Sequence, residues 1–106
     1  MFLDKYLDDL RLKILYTNYN EDYLNSLEES SFKEVYTLLK EKGFYYTNDI
    51  ILNYLELFTI DKKYVEKSLN EIASLIKDNY IEYLGKNMSL FDKVISLAIN
   101  YSNKDG

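Results

Sequence analysis

The sequence has no cysteine, no histidine, no proline and no tryptophan, and only three glycines. Each absence removes chemistry. Without cysteine there is no disulfide, no thiol nucleophile and no thiolate zinc site. Without histidine there is no Ser-His-Asp triad, no imidazole proton shuttle and no Glu-x-x-His di-iron bundle. Gly43, Gly85 and Gly106 are too few and too scattered to form a glycine-rich phosphate cradle. Long apolar runs are also missing. The longest lies near Ile50–Leu52, far short of the roughly 20 residues of a spanning helix. Met1-Phe2-Leu3-Asp4 turns acidic at once and lacks the basic opening of a secretory signal. These absences predict a cytoplasmic, non-enzymatic protein with no cofactor, no metal and no membrane partner.

What is present fits one folded domain spanning residues 1–106. Hydrophobic residues make up 47% and charged residues 29%, too apolar for a disordered chain. Lys, Asn, Ile, Tyr and Phe dominate while Gly, Ala, Arg and Pro are scarce, the pattern of an AT-rich genome. The twelve tyrosines therefore carry codon bias as well as any binding role. The net charge is −5, with most of the acidic excess in the first half. Such a chain repels phosphate backbones overall, which lowers the case for nucleic acid.

Apolar residues recur with helical spacing from end to end, so the expected class is all-α: a compact bundle of five to six helices around a single core. The expected helices cover about residues 2–16, 21–28, 32–42, 48–58, 62–84 and 90–102. Leu3, Leu7, Leu10 and Ile14 predict one inward stripe on the first helix. Leu12, Leu15 and Tyr16 fall off that stripe and suggest a second neighbour, either within the core or on a second subunit. Ser31 with Glu34 and Ser89 with Asp92 have the spacing of capping boxes. Thr47 or Asn48, and Asp61, are further N-caps, and Gly43 and Gly85 are helix stops. Asp78-Asn79 is a place where the long helix can break.

Three constellations point to function. Phe44-Tyr45-Tyr46 follows a helix end, and three adjacent aromatics cannot all face inward, so this loop is a candidate partner-binding site. Leu12 and Tyr16 on the first helix are a second candidate, compatible with homodimerisation. The third is Ile50 through Ile72, which resembles a helix-turn-helix. Buried Leu55 and Phe58 precede a Thr59-Ile60-Asp61 turn, and Val65, Leu69 and Ile72 follow it. Lys62, Lys63, Lys67 and Asn70 would then face DNA. Leu55 replaces the usual small residue, Thr59 the usual turn glycine, and Glu66 and Glu71 offset the lysines. The carboxylate pairs Asp8-Asp9 and Glu28-Glu29 diverge around a helix and do not converge on one proton or ion. The preferred expectation is a protein-interaction or regulatory module whose partner is a protein, itself included. A helix-turn-helix DNA-binding regulator is the alternative.

Overall fold

Three backbone interruptions set how this chain packs. The computed structural model describes residues 1–105. Among these there are seven α-helices and three 3-10 turns, with no strand. The helices are α1 (Asp9–Asn18), α2 (Glu21–Asn25), α3 (Glu29–Lys42), α4 (Thr47–Asn53), α5 (Lys62–Ile76), α6 (Tyr80–Lys86) and α7 (Phe91–Asp105). The 3-10 turns are Phe2–Lys5, Leu55–Thr59 and Met88–Leu90. Helix α5 is central, packing chiefly on α7 and also on α3, while α1 packs on α4. The radius of gyration is 13.6 Å, close to the about 13 Å of a well-packed chain of this length.

The first interruption lies at Tyr6–Asp8, inside the helix expected over 2–16. Asp8 is the cause. Its carboxylate accepts the Arg11 backbone N–H at 2.9 Å and meets the Arg11 guanidinium at 2.6 Å, so it caps a new helix. The second falls after Asn53, where α4 stops and a 3-10 turn takes over at Leu55. The third splits the expected 62–84 helix. Lys77 and Asn79 have positive φ, 71° and 57°, beside the Asp78-Asn79 weak point.

Several ends differ from expectation. Helix α3 begins at Glu29 with Glu28 in the N-cap position, so Ser31 sits in the first turn and does not cap. Tyr46 precedes α4, and Thr47 is its buried first residue, not an exposed cap. Gly85 lies inside α6, which runs on to Lys86. Ser89 belongs to the 3-10 turn before α7. Asp61 does cap α5, accepting the Lys63 N–H at 3.0 Å. Gly43 does end α3: its φ is 97°, and the Phe44 N–H reaches Leu39 O at 3.0 Å in a Schellman closure.

The buried apolar residues form one cluster. Phe32, Val35 and Leu39 of α3 meet Leu55, Leu57 and Phe58, with Phe32 and Phe58 stacked at 4.7 Å. Val65, Leu69 and Ile72 of α5 join Phe91 and Val94 of α7 in the same cluster. Ser68 is fully buried, but its hydroxyl donates to Val94 O at 2.6 Å. Among the described residues no buried side-chain polar atom lacks a partner, so the interior holds no unspent polar group.

Two ends carry a test. Gly43→Ala forces a Cβ into the left-handed region and is expected to destabilise by about 1–2 kcal/mol. Asp61→Ala removes a cap and is expected to cost about 1 kcal/mol. Urea unfolding measures both, and unchanged midpoints would refute these two helix ends.

Candidate functional site

The aromatic segment after α3 divides between interior and surface. Phe44 is buried and lies edge-on to Phe91 and Tyr80. Tyr46 turns inward as well. Its hydroxyl donates to Ile81 O at 2.5 Å, and its ring packs closely against Gly85 of α6. A Cβ at position 85 would sit 2.8 Å from the Tyr46 ring, so glycine there permits the contact. Burial pushes the Tyr46 phenol well above its ordinary pKa, with Tyr45 and Tyr80 adding to the shift. Of the three adjacent aromatics, which could not all face inward, Tyr45 is the one at the surface, 71% exposed. Tyr46 acts as a bolt between the α3–α4 loop and α6, and Phe44 is core.

The lysines of α5 are exposed, but acids and an aromatic ring surround them. Lys62 and Lys63 line a groove of about 510 Å³ between α3 and α5, together with Lys33, Glu34, Glu41 and Glu66. Lys67 lies over the Tyr101 ring of α7 at 4.4 Å, and the Tyr101 hydroxyl donates to Glu71 at 2.6 Å. Asn70 accepts from Lys42 at 3.2 Å, and Lys42 also lies 3.8 Å from Glu66. The four residues therefore share one exposed arc of about 140° on α5, bordered by α3 at one edge and by Tyr101 of α7 at the other. The segment before the turn is a 3-10 turn packed on α3, not a regular helix paired with α5.

Helix α1 reverses the expected stripe. Leu15 is fully buried, and Leu12 and Tyr19 pack against the core from the same side. Leu10 and Leu12 are two residues apart, about 200° around a helix, so seating Leu12 turns Leu10 outward. Leu10 is 68% and Ile14 41% exposed, while Tyr16 stays at the surface. Leu12 is thus a packing residue. Leu10 and Ile14 are the surface residues that helical spacing missed, and Asp8 with Arg11 is the signal that could have revealed them. Read as an N-cap, Asp8 starts the helix afresh and breaks the stripe.

Other groups are held in local structure. Ser26 and Thr59 border a cleft of about 400 Å³ over Phe32 and Phe58, and their hydroxyls donate to Tyr23 O and Glu56 O. Asp8 caps α1, the Arg11 N–H and charge holding its carboxyl below the usual range. Glu29 pairs with Lys5 at 2.9 Å. Among the described residues no three acidic groups are placed to hold a metal ion, and no helix is long and apolar enough to cross a membrane.

Two outcomes are expected. Alanine for an interior helical glycine ordinarily stabilises by up to about 1 kcal/mol. Gly85→Ala is expected to destabilise by about 1–3 kcal/mol through overpacking on Tyr46. In a Tyr46→Ala background the penalty should vanish, which a double-mutant cycle in urea measures. A stabilising Gly85→Ala in the wild-type background refutes the contact.

The second outcome concerns alkaline pH. Burial raises the phenols of Tyr19, Tyr23, Tyr54 and Tyr80 as it does that of Tyr46, and a hydrogen bond to Glu71 raises Tyr101. The folded state holds these protons more tightly than the unfolded state. Their contribution is therefore complete below about pH 10 and is lost as pH rises above it. With no histidine or cysteine, the urea midpoint should be nearly flat between about pH 6 and 8. A steep fall within that range, or all twelve tyrosines ionising together with a midpoint near pH 10, contradicts the assignment.

In comparisons with known proteins, no family model, no curated protein and no solved structure matches this chain.

Proposed function

We propose that this chain is a non-enzymatic protein-interaction or regulatory module that acts through its outer surface. The observation that carries the reading is the outward side of α1. Leu10 and Ile14, one turn apart, are solvent-exposed on a helix whose opposite side packs on the core through Leu12, Leu15 and Tyr19. Tyr45, projecting from the α3–α4 loop, is a second exposed aromatic of the kind that anchors interfaces. Support also comes from the interior, where the buried Ser68 hydroxyl is tied to Val94 O and, among the described residues, no buried side-chain polar atom lacks a partner. A cytoplasmic place of action belongs to the same proposal and rests on the sequence alone.

The helix-turn-helix reading ranks second. Lys62, Lys63 and Lys67 are exposed, which keeps duplex DNA in view. Glu34, Glu41 and Glu66 share the groove with the first two lysines, and such neighbours weaken attraction to phosphate.

The test is capture from the native host with protein and nucleic acid scored together, beside sedimentation of the purified chain. Wild type is expected to retain defined proteins or to self-associate. Tyr45→Ala or the pair Leu10→Ser and Ile14→Ser should abolish at least one of these while circular dichroism stays unchanged. Duplex DNA retained at about 50 mM salt and released by Lys62→Glu, Lys63→Glu and Lys67→Glu would replace the reading with the second one.

A further inference from the structure

The outward side of α1 also has a charge pattern. At about 100° per residue, Arg11 lies about 60° to one side of Ile14, and Lys13 about 60° to the other side of Leu10. The exposed apolar pair is therefore bordered by a cation on each flank. No acid occurs from Leu10 through Asn20, although the chain as a whole carries −5. Arg11 is already held by Asp8, whereas Lys13 is exposed and has no carboxylate within ion-pair distance among the described residues. An exposed apolar strip edged by the unpaired Lys13, on a molecule of net negative charge, discriminates among partners in favour of acidic ones.

The same pattern argues against a second copy of this chain. Any two-fold pairing of the strip with itself sets Arg11 and Lys13 against the same cations of the other copy. Like charges flanking an apolar seam oppose association. The strip is also convex and only one turn long, which suits a helix or turn laid across it better than a deep pocket ligand.

Resting on the protein-interaction reading above, we propose that Leu10 and Ile14 dock an acidic amphipathic segment of another protein. Its apolar residues cover this pair, and its Glu or Asp side chains meet Lys13 and Arg11. With two apolar side chains in play the contact is small, of the transient class. Charge sets its specificity and its salt dependence more than its strength.

The experiment uses the full chain and three labelled synthetic helical peptides of about 18 residues. One has a leucine stripe with Glu flanks, one the same stripe with Lys flanks, and one Glu flanks with serine in place of leucine. Fluorescence anisotropy at about 50 mM salt should favour the Glu-flanked leucine peptide at least about tenfold over both others. Lys13→Glu should reduce that preference severalfold. Leu10→Ser with Ile14→Ser, both at exposed positions, should remove binding without changing circular dichroism. Equal binding of the Glu- and Lys-flanked peptides, or binding of neither, overturns the proposal. So does retention on phosphatidylglycerol vesicles in place of peptide binding, which identifies a membrane surface. A dimer abolished by Leu10→Ser with Ile14→Ser overturns it in favour of self-association. If host-protein capture depends on Tyr45 but not on Leu10 and Ile14, this inference fails while the interaction-module reading stands.

Discussion

Where α4 stops, its backbone is left with groups that need partners, and α1 supplies them. The Asn18 side chain donates to Leu52 O at 2.9 Å, and the Tyr19 hydroxyl accepts the Leu55 N–H at 3.1 Å. Both lie beside the break at Tyr54, where a carbonyl and an amide lose regular helical partners. Burying them unpaired would cost about 1–3 kcal/mol each. The end of α1 is thus tied to the α4 junction at two points, with Leu15 buried ahead of them. That tie fixes the rotation of α1 about its own axis. Leu12, Leu15 and Tyr19 must face inward, so Leu10 and Ile14 must face out.

Elsewhere the molecule closes on itself. Tyr46 bridges to α6 across 35 residues of sequence through Ile81 O and the bare backbone of Gly85. Phe44 completes the end of α3 and enters the core. Ser68, the buried hydroxyl between α5 and α7, is satisfied by Val94 O. Among the described residues every buried side-chain polar atom has a partner, and the proposed function looks to the surface instead. On α5, Lys67 lies over Tyr101 while Lys62 and Lys63 share a groove with Glu34, Glu41 and Glu66, so they are part of the bundle's own charge pattern.

Much of the fold was legible in the sequence because it rests on local rules. Helical spacing identifies Phe32, Val35 and Leu39, then Val65, Leu69 and Ile72, then Phe91, Val94 and Ala98, and all are buried. Asp61 and Gly43 behave as their chemistry predicts, and the chain does break beside Asp78-Asn79. The candidate site was less legible. The Leu3, Leu7, Leu10, Ile14 spacing runs unchanged through the break at Asp8, so it cannot register that the two halves face different ways. Tyr46 could not be told from Tyr45 because its partners, Ile81 and Gly85, are distant in sequence. Ser31 and Ser89 match the capping-box spacing, yet helices α3 and α7 begin elsewhere.

The central claim is the rotation of α1, and the absence of native cysteine allows a clean measurement of it. Single substitutions Leu10→Cys, Leu12→Cys, Ile14→Cys and Leu15→Cys each place one thiol on the helix. Alkylation at low protein concentration then reports which side is open. The account predicts that the thiols at positions 10 and 14 react at nearly the rate of a free peptide thiol. That at 15 should react only through unfolding, slower by at least about 100-fold, and that at the half-buried position 12 should be slower than those at 10 and 14. Protection at 10 and 14 with free reaction at 12 and 15 would mean that the regular stripe faces the core after all, and would contradict the account.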